Sequence, residues 1–418
     1  MANALFQRLD NPLASPAPDL ALSLSTGDTA QAAPMRLDMT LIDTMAGFEA
    51  LEAEWTSLLA RSLQPHQVFQ TFNWHWHWCQ HYAARPGIRG ATLAIVTGRR
   101  AGRLELILPL AMTRIAGLRQ LSWMGEPVSQ YGDAIAAPEA ADLATLAAAF
   151  DFAVKATGAD VANLRKVRAD AQIAPLLVAR HADIIDSEEA PYMSLANAPD
   201  YEAYESRAPS KRRKNRRRHM RRLEERGSVV FEQLSGTDLA AHLADYAIRL
   251  KRAQLKGKGG VAPTLADPRF AAFFADAAHS RGRPVGCQVM ALRSGNEIAA
   301  MQIVLDHGTH RFLHVAVFAG KFEKCGVGGL LLEHAIANCF ASGITTFDLL
   351  APKHEYKMDF ADGTVLVNDH AVGLTFAGRV YVRGILGMRA NVKTAIESLP
   401  APARRVVGDA IARVRRRA

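Results

Sequence analysis

No uninterrupted apolar run in this 418-residue chain reaches the length of about eighteen residues that a membrane span needs. Cysteine is scarce: Cys79, Cys287, Cys325 and Cys339 stand alone, with no Cys-x-x-Cys pair. That excludes a disulfide framework and a thiolate zinc site, and leaves the buried thiols of a reducing cytoplasm. The start of the chain has neither a basic n-region nor a compact apolar stretch, so it does not read as an export signal. Residues 1–36 are rich in Ala, Pro, Ser and Thr, the composition of a disordered lead-in. What is present is an ordinary globular composition, 49% hydrophobic and 22% charged, on a chain long enough for two cores.

The net charge of +9 is concentrated in two places. Lys211 to Arg226 carries ten basic residues against two glutamates, and Leu386 to Ala418 carries eight against two acids. The remainder is net negative. Basicity is therefore local, and each basic stretch asks for a partner of its own.

Periodicity predicts a helix over Asp43 to Leu59 and another over the Trp-rich stretch from Phe72 to Trp78, with Trp74 and Trp78 on one face. Strands are expected at Ala91–Val96, Leu104–Met112 and Leu118–Met124, a helix at Asp142–Thr157, and a short strand at Val161–Leu164. The same order returns later: strands at Gly286–Leu292, Ile298–Leu305 and Arg311–Phe318, a helix at Gly328–Phe340, and a strand at Thr345–Leu350. The offset, about 185 to 196 residues, is near constant over the whole unit, which predicts two copies of one fold. Between them lie a basic helix over residues 210–226, a helix at Leu239–Leu255 and a helix at Phe270–His279.

The strand ending at Phe318 leads into Cys325-Gly326-Val327-Gly328-Gly329 and then directly into a helix. Glycines let backbone N–H groups approach an anion, and a helix N-terminus adds positive potential. The same glycines would also suit a tight turn. The turn follows a β-meander, not the first βα unit of a dinucleotide fold, and no Lys-Ser/Thr follows its last glycine as in a P-loop.

Three strands, a glycine turn, a helix and a strand make up the order of the GNAT N-acyltransferases, whose pyrophosphate loop reads Gln/Arg-x-x-Gly-x-Gly/Ala. Gly326 and Gly328 match its glycines; Glu323 departs from its first position, with Lys321 and Lys324 beside it. The chain resembles the CelD-like branch of that family, related to Fem-type aminoacyltransferases that carry two GNAT-like halves. The resemblance runs from Phe69 to Arg379 through Phe69-Gln70-Thr71-Phe72-Asn73-Trp74, Leu108-Pro109-Leu110, Tyr131-Gly132-Asp133, the basic helix and Glu355-Tyr356-Lys357. It implies an α/β (α+β) fold of two tandem GNAT-like domains, each a mixed, mainly antiparallel sheet flanked by helices. The divisions expected are 37–195 for a first domain without the glycine turn, 196–385 for the acyl-CoA-binding domain, and 386–418 for a tail. It also implies acyl-CoA as co-substrate and no metal, with the donor along Val315 and Val317 and at Lys321, Lys324, Gly326, Val327, Gly328 and Gly329.

Amide formation from a thioester needs a neutral amine, a polarised carbonyl and a proton for the leaving thiolate. Candidates cluster after the last strand: Asp348, His354, Glu355, Tyr356 and Lys357. The resemblance assigns the leaving-group proton to Tyr356 and substrate charge pairing to Lys357. Tyr131 and Asp133 are expected as acceptor contacts, with an Asx-turn the plainer reading of Asp133. His314, mid-strand, reads as a core histidine. His75, His77 and His81 lack a carboxylate that would complete a zinc motif, so packed aromatics are expected there.

Positive charge at the start of the basic helix opposes its dipole, so an anionic partner is expected, with Arg213 and Arg217 as contacts. Nucleic acid is disfavoured because no aromatics interleave the charges. From Ala403 onward, Val406, Val407, Ala410, Ile411 and Val414 share a helical face edged with arginines, the pattern of a peripheral membrane anchor. Together these features predict a cytoplasmic acyl-CoA-dependent N-acyltransferase on the inner face of the membrane, acting on an amine of an envelope building block. A long-chain amino lipid and an amino sugar of a lipid-linked glycan both fit as acceptor. An aminoacyl-tRNA-dependent Fem-type transferase and a non-catalytic membrane-associated binding protein are the alternatives.

Overall fold

The computed structural model describes residues 37–84, 90–257 and 263–387. The expected lead-in over 1–36 and the expected tail helix from Ala403 lie outside these residues. The first half runs β1 (Asp38–Ile42), α1 (Met45–Ala50), α2 (Glu52–Ser62), α3 (Phe72–Tyr82), β2 (Thr92–Leu93), β3 (Ile95–Arg100), β4 (Arg103–Leu108), β5 (Leu110–Ile115), β6 (Leu118–Trp123), β7 (Ile135–Ala136), α4 (Leu143–Thr157), β8 (Val161–Arg168), α5 (Ala174–Ala179) and β9 (Asp183–Ser194). The second runs α6 (Tyr201–Ser206), α7 (Ser210–Glu224), β10 (Val229–Leu234), α8 (Asp238–Gly257), α9 (Pro263–Ala266), α10 (Pro268–His279), β11 (Cys287–Ser294), β12 (Glu297–His307), β13 (His310–Phe318), α11 (Val327–Ala341), β14 (Thr346–Asp348), α12 (Glu355–Met358), β15 (Gly363–Gly373) and α13 (Phe376–Tyr381).

Three expected elements are broken. The helix over Asp43 to Leu59 divides at Leu51, whose N–H turns back three residues to Phe48, and α2 restarts with Trp55 bonding to the Leu51 carbonyl. The expected strand Leu104–Met112 divides at Pro109, which has no N–H to donate to a ladder. There the chain leaves a four-stranded sheet (β1-β3-β4-β7) and enters an eleven-stranded one. The expected strand Ala91–Val96 divides between the same two sheets at Ala94.

The large sheet has the order β10-β11-β12-β13-β14-β9-β15-β8-β6-β5-β2. Its two sides repeat one unit: β6 and β8 pair in parallel around α4, and β13 and β14 pair in parallel around α11. The final strand of each unit crosses over. β9, from the first half, pairs with β14, and β15, from the second, pairs with β8. β9 and β15 then pair with each other from Gly363 opposite Tyr192 to Ala371 opposite Asp183. Each half is closed by a strand from the other.

The Trp-rich stretch packs in the core, as its spacing predicts. Trp74 and Trp78 are buried with Trp55, and Trp74 meets Phe273 of α10 edge-on at 4.8 Å. Each indole N–H finds an oxygen: Trp55 donates to the Gln70 carbonyl, Trp74 to Ser129 Oγ and Trp78 to the Glu126 carbonyl. Truncating such a ring to Ala costs about 3–5 kcal/mol. All four cysteines are buried free thiols.

Candidate active site

The glycine turn starts α11. Gly326 is its N-cap with φ +59°, a left-handed conformation that L side chains rarely adopt, and it caps with no side chain. An added Cβ there would overlap the ring of His219 on α7. Gly329 faces open space and Gly328 meets only Phe318. The N–H groups of Gly329 and Leu330 turn back to the Gly326 carbonyl, which leaves those of Val327 and Gly328 as the donors at this helix end, where the dipole adds positive potential.

Beside it, β13 and β14 part. They pair only through His310–Phe312 and Thr346–Asp348, so β13 continues past its partner toward Phe318 with its edge uncovered on that side. A register shift against β12 falls at His314, between Ile303 and Val304. The Ala316 carbonyl, on this continuation, accepts a hydrogen bond from Lys251 Nζ of α8 at 2.9 Å. The space between α11, the β13 edge, α7, α8 and the segment around α12 is a cavity of about 1040 Å³.

Of the residues expected from the sequence, this cavity gathers Val317, Gly326, Val327, Gly328, Gly329, His354, Glu355 and Tyr356 into its wall. The His354 and Tyr356 rings stack with centroids 6.1 Å apart. Tyr356 is 45% exposed, and burial of the rest of the ring raises the phenol's pKa, so the group stays protonated. Lys357 turns the other way, because adjacent residues on a helix point about 100° apart. It is 5% exposed, and its ammonium donates to the carbonyls of Leu350 and Pro352 at 2.7 and 2.8 Å. Burial lowers it to about 8, against the pull of Asp348.

Asp348 does not reach the cavity wall. It is buried at the end of β14 and accepts from Tyr131 Oη at 2.8 Å, from Arg168 at 2.9 Å and from the Leu350 N–H at 2.7 Å. Burial raises its pKa, and Arg168 opposes the rise. Tyr131 thus belongs to a strut tying the first half to β14, not to a cleft. Asp133 is equally enclosed: its carboxylate accepts from Gln67 and from the N–H groups of Ala134, Gln172 and Ile173. These are mostly long-range bonds, tying the segment at Asp133 to Gln67 and to the start of α5, and not the local Asx-turn weighed for it in the sequence.

α7 faces the cavity in a register one residue away from the expected one. Lys211, Arg212, Asn215, Arg216 and His219 line it, while Arg213 donates to the Ser206 carbonyl and Arg217 points outward. Arg216 pairs with Glu205 and lies 3.7 Å from Glu333 of α11, whose carboxyl is pushed up by burial and drawn back by Arg216 and Arg212. Helical counting from Leu223, the one buried residue of α7, gives this register: Leu223, Met220 or His219, Arg216 and Arg212 share a face. Lys321 pairs with Glu297, and Lys324 is exposed outside the wall. Val315 packs into the core instead of the cavity, as does His314, whose Nε2 meets the Val128 carbonyl at 2.7 Å. Lys251, Gln254 and Glu333 line the cavity without having been anticipated; α8 carries the first two at the i, i+3 spacing of one helical face. Among the described residues no group of three or more His, Cys, Asp or Glu side chains is placed to hold a metal ion, and no helix is long and apolar enough to cross a membrane.

Comparison with known proteins matches residues 210–358, from α7 to α12, to the family described as acetyltransferase (GNAT) domain. No curated protein matches the chain. Among solved structures, FemX is similar with a TM-score of 0.56 at 10% identity, over 84% of this chain and 100% of that one. The C-terminal domain of a putative lysylphosphatidylglycerol synthetase from Agrobacterium fabrum follows at 0.46 and 11%, over 84% and 96% of the two chains. A tandem GNAT protein of the clavulanic acid biosynthesis pathway follows at 0.45 and 12%, over 80% and 98%. The fold is α/β with two tandem GNAT-like units, and the match to the acetyltransferase family falls within the second.

Proposed function

We propose that the protein is an acyl-CoA-dependent N-acyltransferase that forms an amide on an amine of an envelope building block. One observation carries this: a bare helix N-terminus, an uncovered strand edge and a protonated phenol all face one 1040 Å³ cavity. The N-terminus of α11, with Arg212, Arg216 and His219 across from it, suits the donor's pyrophosphate. The β13 edge offers backbone groups to the extended arm that follows. The acceptor nitrogen then attacks the thioester carbonyl carbon, the C–N bond forms, and the C–S bond breaks. His354 or Glu355 takes the amine proton, and Tyr356 Oη supplies the proton of the departing thiolate. The second half holds the donor, and the first half braces it and shapes the acceptor side. A long-chain amino lipid is the favoured acceptor, with an amino sugar of a lipid-linked glycan next. The outward cations of α7, Lys214, Arg217, Arg218 and Arg221, suit an anionic membrane surface where such acceptors reside.

The same outward cations favour a second reading, an aminoacyl-tRNA donor, in which an ester replaces the thioester. Calorimetry with CoA and acyl-CoA separates the two. Micromolar binding that Gly326→Asp removes supports the first. Absence of binding, with the variant unchanged in cells, would falsify it. Binding without turnover in any lipid or glycan extract would leave a membrane-associated binding protein. On the acyl-CoA reading, Tyr356→Phe lowers kcat roughly 100-fold with little change in donor affinity.

A further inference from the structure

We propose that Lys251 is a self-acylation site, taking an acyl group from the protein's own bound thioester when no acceptor is present. The inference rests on the acyl-CoA reading above. α8 brings Lys251 to the cavity beside Gln254, and its Nζ sits 2.9 Å from the Ala316 carbonyl. Ala316 lies between Phe312, where β13 last pairs with β14, and Phe318, where the strand ends before the glycine turn. On that reading, a donor with its pyrophosphate at Gly326–Gly329 runs its extended arm back along this edge, past the Ala316 carbonyl to which Lys251 bonds.

The contrast with the other lysines is geometric. Lys357 is anchored to two carbonyls outside the cavity wall, and Lys321 is paired with Glu297. Lys211 lines the cavity from the first turn of α7, a different element from the one that reaches the β13 edge. Lys251 is therefore the lysine at the strand edge.

The step balances without a further reactant. Lys251 releases one proton to become the neutral amine, its Nζ attacks the thioester carbonyl, the C–N bond forms and the C–S bond breaks. The nitrogen's second proton ends on the thiolate, so one acyl thioester and one ammonium give an acyl-lysine, a free thiol and one proton. The product is a stable amide whose chain stays in the cavity and excludes the next donor. The enzyme would thus inactivate slowly in the absence of acceptor.

The full-length protein is incubated with acetyl-CoA or palmitoyl-CoA and no acceptor, then followed by intact mass, peptide mapping and thiol release. CoA affinity is measured in parallel by calorimetry. The expected result is a single acyl addition mapped to Lys251, at least tenfold above the exposed Lys155 or Lys214, with thiol release in equal amount. Lys251→Arg loses the addition while still binding CoA, and Gly326→Asp loses both. Binding of CoA with no addition at Lys251, or with labelling spread evenly over surface lysines, overturns the proposal and leaves the acyl-CoA reading standing. Failure of the wild type to bind CoA overturns the reading itself.

Discussion

The chain enters two equivalent helices in opposite ways. At α4, in the first half, Asp142 closes the N-terminus: its carboxylate accepts from the Thr145 N–H at 2.9 Å and from the Thr145 hydroxyl at 2.6 Å. At α11, in the second half, the same position is Gly326, with no side chain to offer. One helix end is satisfied by a charge the protein carries, and the other has no side-chain cap. The routes into the two helices differ as well. Eighteen residues separate the end of β6 from the Asp142 cap, enclosing β7, whereas β13 reaches Gly326 through one short 3-10 turn. Matching places in the two units therefore differ in the residue at one cap: a carboxylate in the first, none in the second.

The largest effect is expected where the halves meet. Asp348→Ala removes the acceptor shared by Tyr131 and Arg168, leaving a buried guanidinium short of a partner, and should cost about 3–5 kcal/mol in urea unfolding. A loss seen in one transition across the whole chain would mean the halves unfold together; two separated transitions would mean the strut is local. Next, Gly326→Asp gives the second helix a carboxylate like that of the first, at a left-handed position pressed against His219. Donor affinity should fall about 100-fold, or roughly 2.8 kcal/mol. The reverse probe is Asp142→Ala, which opens the first helix. It should cost about 1 kcal/mol of stability and create no CoA affinity; new binding there would show that the cap alone makes the site.

The smallest effect is a pH slope. Burial lowers Lys357 to about 8 in the fold from the 10.5 of an ordinary lysine, so between those values the unfolded chain holds a proton that the folded one has released. Stability from this group is therefore smallest below pH 8 and rises as pH climbs toward 10.5. Lys357→Met should flatten that rise in denaturation midpoints taken across the window. An unchanged slope would mean that other groups set it.

Much of this was legible in advance, for reasons that differ by element. α3, α4, α8, α10 and α11 are legible because each carries apolar residues at helical spacing that pack into the core. β11 to β13 read as strands because they are apolar runs between turn signals. The exchanged strands did not read at all. β9 (Asp-Ile-Ile-Asp-Ser-Glu-Glu-Ala-Pro-Tyr-Met-Ser) and β15 mix charge with apolar residues, and their partners lie far along the chain, so no local period marks them. The site divides along the same line. Gly326–Gly329 and Tyr356 were found because they form a motif, whereas Lys251 and Glu333 come from helices whose facing residues only packing reveals. Arg213 and Arg217 missed by one residue because charge density gives no phase to a helix, although Leu223 does.

The exchange of β9 and β15 also sets a timetable for synthesis. When β9 leaves the ribosome, its partner β14 is still about 150 residues from being made, and β8 waits longer for β15. At roughly 5–20 residues per second, the first half spends about 8 to 30 s with two unpaired strand edges. A message cut after the first half would yield a chain without the strands that pair with β8 and β9, so neither half can complete its sheet alone.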